Sequence, residues 1–199
     1  LLHRPRPIRE RPLTLTDVDV PEPAEGEVLL RVRACGVCRT DLHVCEGDLA
    51  PRKQPIIPGH QIVGEVVAGA TEAAGLQAGE RVGVAWLQHT CGACPYCARR
   101  RENLCPNAGF TGWTRDGGFA EFVVVDPQML YRLPDELGDV EVAPLLCAGI
   151  IGHRCLAHCA LTEWNGARLG LYGFGAAGHI AIQIARGRGA EVYVCTRDA

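Results

Sequence analysis

The sequence predicts a two-domain chain. An α+β, β-rich and barrel-like domain spans residues 1–163, and the opening of an α/β, doubly wound parallel sheet spans 164–199. Three observations predict it. From about Pro12 to Val125, short apolar runs are cut by Gly and Pro, as in antiparallel barrels and sandwiches. Around 139–161 the spacing turns helical, with Val140, Val142, Leu145 and Leu146 followed by the stretch from Gly149 to Leu161. From Ala167 onward the chain reads apolar strand, glycine turn, helix and apolar strand, and such near-continuous apolar strands suit a parallel sheet covered on both faces.

The first-domain strands are expected in EVLLRVRACGV at 27–37, IVGEVVAGA at 62–70, ERVGVAW at 80–86 and FAEFVVVD at 119–126. Residues 88–112 are rich in Cys, Arg, Asn and Gly and lack any period. They read as a lobe held by something other than an apolar core. The boundary is expected near Trp164–Gly166, followed by a strand at 167–172, a helix from Ala176 to Arg186 and a strand at 191–195. Two strands and one helix fall short of an independently stable sheet. Leu169, Leu171, Ile180, Ile182, Ile184, Val192 and Val194 are therefore expected to find too little to pack against.

With 20 basic and 23 acidic residues interspersed, the formal charge of −3 offers no patch for nucleic acid or an anionic membrane. No apolar run approaches the roughly 20 residues of a membrane span. The leading LLHRPRPIRERPL lacks the apolar centre of a signal peptide. A cytoplasmic protein is expected. There are 11 cysteines, an odd number, and four of them crowd into residues 91–105, which favours metal over disulfides.

Those four, Cys91, Cys94, Cys97 and Cys105, are spaced C-x2-C-x2-C-x7-C. Thiolates two residues apart chelate one ion from a tight turn, and a fourth closes a tetrahedral shell, most often around zinc. A closed shell has no open position, so the role expected is structural. An iron–sulfur cluster is the weaker alternative. Elsewhere, GVCRTDLH carries Cys38, Thr40, Asp41 and His43, GH stands at 59–60 and CAG at 147–149. Singly these are weak signals. Cys35 with Cys38 would suit a redox dithiol, a lone His is usually a satisfied polar residue, and Cys147 in an apolar stretch is usually core.

Together, GVCRTDLH, PGHQIVGEV, CGACPYCARRRENLC, DGGFAEF, CAG and GFGAAG resemble, in order and spacing, the zinc-dependent alcohol dehydrogenases of the medium-chain dehydrogenase/reductase family. The resemblance covers nearly the whole chain. It implies a GroES-like barrel catalytic domain followed by the start of a Rossmann domain. It implies an enzyme interconverting an alcohol and its aldehyde or ketone by hydride transfer to or from NAD(P), with two Zn2+ per chain. The catalytic zinc would sit on Cys38, His60 and Cys147 with its fourth position open, and the structural zinc on the four-cysteine lobe. Thr40 and His43 would relay the alcohol proton, and Asp41 would orient His60. A small-molecule alcohol or aldehyde is the expected partner, and a homo-oligomer the expected state of the full-length form.

Two positions stand out. Gln61 replaces the Glu that usually follows GH, which puts carboxylate-assisted metal exchange in doubt. Trp86 lies where relatives place an aromatic lining the substrate cleft, and it would suit a core position equally well. The competing readings are a polyol, formaldehyde or cinnamyl-type dehydrogenase, a catalytically inactive truncated zinc module, and a disulfide oxidoreductase using Cys35 and Cys38.

GFGAAG at 173–178 is G-x-G-x-x-G placed between a strand and a helix, the context that gives the motif meaning. Gly173 makes the turn, Gly175 lets a pyrophosphate approach the backbone, and Gly178 allows close helix–strand packing. The helix amino end then faces the phosphates. Where NAD-binding chains carry an acidic residue, this one has Thr196 and Arg197, with Asp198 one or two positions late. A hydroxyl beside a guanidinium suits a 2′-phosphate, so NADP(H) is expected over NAD(H). Because relatives continue well beyond this point, residues 1–199 alone are expected to lack dehydrogenase activity.

Overall fold

Alternating apolar residues drive the first strand to pair on both edges, and the sheet grows from it. In a computed structural model that describes residues 1–69 and 75–197, the chain divides into two compact units, Leu1–Ala143 and Pro144–Ala199.

The first unit holds strands β1 (Val28–Gly36), β2 (Gln61–Gly69), β3 (Arg81–Val84), β4 (Leu87–His89), β5 (Gly109–Phe110), β6 (Phe122–Val125) and β7 (Leu130–Arg132). Helix α1 (Arg39–Glu46) lies between β1 and β2, and the short α2 (Asp139–Val142) follows β7. Five strands form one sheet in the order β6-β1-β2-β3-β7, with every pairing antiparallel. Val28, Leu30, Ile62, Val66, Val82, Val84, Val123 and Val125 close its core. β4 and β5 form a separate two-stranded ribbon that carries the four-cysteine segment.

The expected strands lie within two or three residues of those observed, and Ala70 of IVGEVVAGA falls outside the described residues. Ahead of β1, residues 14–27 form no strand, and Leu15, Val18 and Val20 are exposed. The helical stretch at 139–161 is also broken. Pro144 has no N–H to continue the ladder, so α2 gives way to a 3-10 turn at Ala143–Leu146.

The second unit contains α3 (Ala148–Ala157), β8 (Arg168–Tyr172), α4 (Ala176–Gly187) and β9 (Glu191–Cys195). β8 and β9 pair in parallel. α3 packs on α4 because Gly152 lets the backbones close in; a Cβ there would lie 3.0 Å from the Ala177 carbonyl oxygen. This explains why packing divides the chain at 143/144 while composition changes near 164. It also gives Leu169, Leu171, Ile184 and Val192 partners that the sequence reading denied them, in a cluster with Leu156, Ala181 and Ala185. The other face of the strand pair stays open, with Tyr172 and Tyr193 exposed. Among the described residues no single helix is long and apolar enough to cross a membrane.

One polar cluster ties α2 to the sheet. Asp139 accepts from Arg33 Nε at 2.8 Å and from Arg81 Nε at 2.7 Å. Arg81 also donates to the carbonyls of Pro134 and Leu137. Burial works against the Asp139 charge, but the two guanidiniums outweigh it and hold its carboxyl below the usual range. The Arg33 side chain is 44% exposed and that of Arg81 only 17%, so the two should differ in worth. Arg81→Ala is expected to cost about 1.5–3 kcal/mol, as for charged hydrogen bonds removed from a half-buried site. Arg33→Ala should cost less than about 1 kcal/mol. Urea unfolding midpoints check the order.

Candidate metal centres and dinucleotide turn

In the lobe between β4 and β5, tight turns rather than apolar packing bring the sulfurs together. Cys94 and Cys97 Sγ lie 3.5 Å apart, Cys91 and Cys105 Sγ 3.6 Å, and all four lie within 4.8 Å of one another. A disulfide would need about 2.05 Å. Four sulfurs placed about 2.3 Å from a tetrahedral zinc stand about 3.8 Å apart, so this donor set fits that ion. Backbone N–H groups of Ala93 and Cys94 favour the Cys91 thiolate and lower its pKa to about 6, whereas burial pushes Cys97 up to about 11.

The second centre is built by the β1–β2 pairing. Gly36 pairs with Gln61, which brings Cys38, two residues beyond Gly36, beside His60, one residue before Gln61. Cys38 adopts an extended backbone and caps α1. Its Sγ accepts from the Thr40 N–H at 3.3 Å, and its own N–H donates to Asp41 Oδ2 at 2.8 Å. Asp41 Oδ1 accepts from His60 Nδ1 at 2.9 Å, with both side chains buried. That bond leaves Nε2 facing Cys38 Sγ at 3.5 Å, where it carries either a proton or, in the neutral ring, a lone pair. A tetrahedral zinc with one sulfur at about 2.3 Å and one nitrogen at about 2.0 Å sets those two atoms about 3.5 Å apart. The pair therefore fits the ion. Burial pulls the His60 pKa down, but Asp41 and then Cys38 outweigh it and hold it at about 9. A cation at Nε2 would take the place of that proton. Cys147 lies in the second unit, immediately before α3, and its N–H donates to the Pro144 carbonyl.

Thr40 and His43 are both half-buried on α1, three residues apart and so on one face. His43 Nδ1 donates to Asp48 Oδ2 at 2.7 Å. The sequence reading missed Asp48. Its only signal was Gly47, whose left-handed turn (φ 86°) ends α1 and folds the chain back. Trp86 meets the His60 ring edge-on at 5.1 Å and stacks on Phe110 and Trp113. Gln61 is buried at the start of β2, and a Cβ on Gly36 would collide with its side chain. Cys35 packs against the barrel core, and burial pushes its thiol up to about 12. A dithiol needs an accessible thiolate, so the redox reading of Cys35 and Cys38 has no support.

In the second unit, Gly173 has φ 94°, and its N–H reaches the Cys195 carbonyl at 2.8 Å, tying the turn to the end of β9. A Cβ on Gly175 would meet nothing within 4 Å, so the backbone at the start of α4 is open to approach. One on Gly178 would lie 3.1 Å from the Gly173 carbonyl oxygen. Thr196 and Arg197 follow β9 and are exposed, and Asp198 lies outside the described residues.

Residues 24–135 match the family described as the alcohol dehydrogenase GroES-like domain. The chain is 51% identical over its whole length to the "Probable alcohol dehydrogenase AdhA" of Mycobacterium tuberculosis, and it spans 58% of that relative's length. Among solved structures, the cobalt- and zinc-bound thermostable alcohol dehydrogenase of Pyrobaculum aerophilum superposes with a TM-score of 0.87 at 27% identity, covering 99% of this chain and 58% of that one. CAD from Helicobacter pylori complexed with NADP(H) superposes with a TM-score of 0.79 at 30% identity, covering 87% and 52%.

Asp41 joins the helix cap to the imidazole, so its loss should be felt at both. Asp41→Ala leaves a buried ring nitrogen unpaired, at a cost of about 1–3 kcal/mol. Asp41→Asn keeps an acceptor and should cost less. Urea unfolding of the two variants measures the difference.

Proposed function

The chain belongs to the zinc-dependent alcohol dehydrogenases of the medium-chain family, and from that premise we propose that it interconverts an alcohol and its aldehyde or ketone with a nicotinamide dinucleotide. The observation that carries this reading is the convergence of His60 Nε2 and Cys38 Sγ at 3.5 Å, with Nδ1 held by a buried carboxylate. By the family pattern Cys147 would be the third ligand of such a zinc, with one position left for substrate. Zinc bound there supplies Lewis acidity that makes an alcohol easier to deprotonate.

The chain's own residues would do the rest. Asp41 fixes the His60 tautomer and ring plane, and the capping bond to Cys38 N–H fixes the sulfur. Thr40 takes the alcohol proton and passes it toward His43, which stands with Asp48 at the surface. The half-buried Trp86 gives the His60 side an apolar wall. The Cys91, Cys94, Cys97 and Cys105 lobe would hold a second zinc with no position left for substrate, a structural role. In the second unit, Gly173, Gly175 and Gly178 would seat the pyrophosphate at the start of α4, and Thr196 with Arg197 would favour a 2′-phosphate, hence NADP(H). Thiolate ligands require reducing conditions, which supports a cytoplasmic setting.

The test is the relay. In the full-length enzyme, Thr40→Ala should cut nicotinamide-linked alcohol turnover by about 100- to 10,000-fold, while Thr40→Ser should keep most of it. Steady-state kinetics on the full-length enzyme that show equal losses for both, or no turnover in the full-length wild type, would contradict the proposal.

A further inference from the structure

The segment from Phe110 to Phe119 takes no part in the chemistry proposed above, yet it is bonded to the backbone that leads into His60. Gly117 N–H donates to the Ile57 carbonyl at 2.7 Å, Phe119 N–H to that of Pro58 at 3.0 Å, and Gly118 N–H to that of Gly59 at 2.9 Å. Asp116 Oδ1 accepts from the Ile57 N–H at 3.1 Å, and its Oδ2 receives Lys53 Nζ at 2.5 Å. Three consecutive carbonyls and one N–H just before His60 are thus satisfied by one loop.

There is no slack in the fit. A Cβ on Gly117 would lie 2.8 Å from the Pro58 carbonyl oxygen and 2.9 Å from Gly112 Cα, and closer still to the Gly59 oxygen. These are all backbone atoms, which cannot swing aside as a side chain can. Gly59 itself sits at φ 98°, a conformation that L side chains rarely adopt, and Phe119 and Cys35 crowd it. The same loop grips the neighbouring strand end. Thr111 N–H donates to the Trp86 carbonyl and Thr111 Oγ1 to that of Ala85, while Trp113 stacks on Trp86 at 5.9 Å. The His60 ring is therefore held at Nδ1 by Asp41, by the edge-on contact with Trp86, and through its backbone by this loop.

We propose that Asp116 and Gly117 are positioning residues for His60. They fix the Ile57–Gly59 backbone and so set where Nε2 stands relative to Cys38 Sγ. The inference rests on the reading of His60 as a metal ligand. Residues that orient a ligand without touching the ion typically change metal affinity by about 10- to 100-fold. Asp116 acts on the ligand's backbone, whereas Asp41 acts on its ring.

Cobalt(II) substitution of the whole protein tests this, because a four-thiolate site and a thiolate–imidazole site give different visible spectra. In the wild type both sites should fill. Asp116→Ala and Gly117→Ala should weaken cobalt at the His60 site by about 10- to 100-fold and alter its spectrum, while the four-cysteine site holds its ion as before. Asp116→Asn keeps an oxygen for the Ile57 N–H and should restore most of the affinity. If Gly117→Ala does not fold, the two Asp116 variants decide the question. Wild-type affinity and spectrum in Asp116→Ala would overturn the inference, as would equal weakening at both sites or equal loss in Asp116→Ala and Asp116→Asn. A wild type that fills only the four-cysteine site would overturn the reading of His60 as a ligand, and this inference with it.

Discussion

A buried imidazole needs a partner at each nitrogen, and that requirement at His60 organises the first unit. The ring is 1% exposed, so an unpaired nitrogen would carry the full cost of lost water. Asp41 meets the need at Nδ1, and the same carboxylate closes the amino end of α1 through the Cys38 N–H. Helix start, sulfur and imidazole therefore form one hydrogen-bonded unit. The Gly36–Gln61 pairing brings that unit together from two strands, so a slip in the β1–β2 register would separate the two donors.

The lobe obeys a different constraint. Between β4 and β5 there are two 3-10 turns at Cys97–Arg99 and Glu102–Leu104, and Tyr96 and Leu104 are exposed rather than packed. With so little apolar burial, the loop needs another source of order, and four sulfurs within one ion's reach provide it. Structural metal in small segments commonly plays this part, because binding free energy becomes folding free energy.

Much of this was legible in the sequence because it is local. Alternation located four of the five strands of the sheet, missing the three-residue β7, C-x2-C-x2-C-x7-C located the lobe, and G-x-G-x-x-G between strand and helix located the turn before α4. What escaped reading is long-range or backbone-borne. Asp116 and Gly117 act on Ile57–Gly59 some sixty positions earlier, and nothing in DGGFAEF names its partner. The fit of α3 on α4 through Gly152 is likewise invisible in a single glycine. Pro144 could have been read as a helix break and was absorbed into a longer helical stretch.

The central claim is that His60 Nε2 and Cys38 Sγ share one metal ion. Anomalous diffraction at the zinc edge from crystals of the zinc-loaded protein tests it directly. The account predicts two peaks, one enclosed by Cys91, Cys94, Cys97 and Cys105, the other about 2.0 Å from His60 Nε2 and about 2.3 Å from Cys38 Sγ. A single peak in the lobe, with none beside His60 in fully loaded protein, would contradict it.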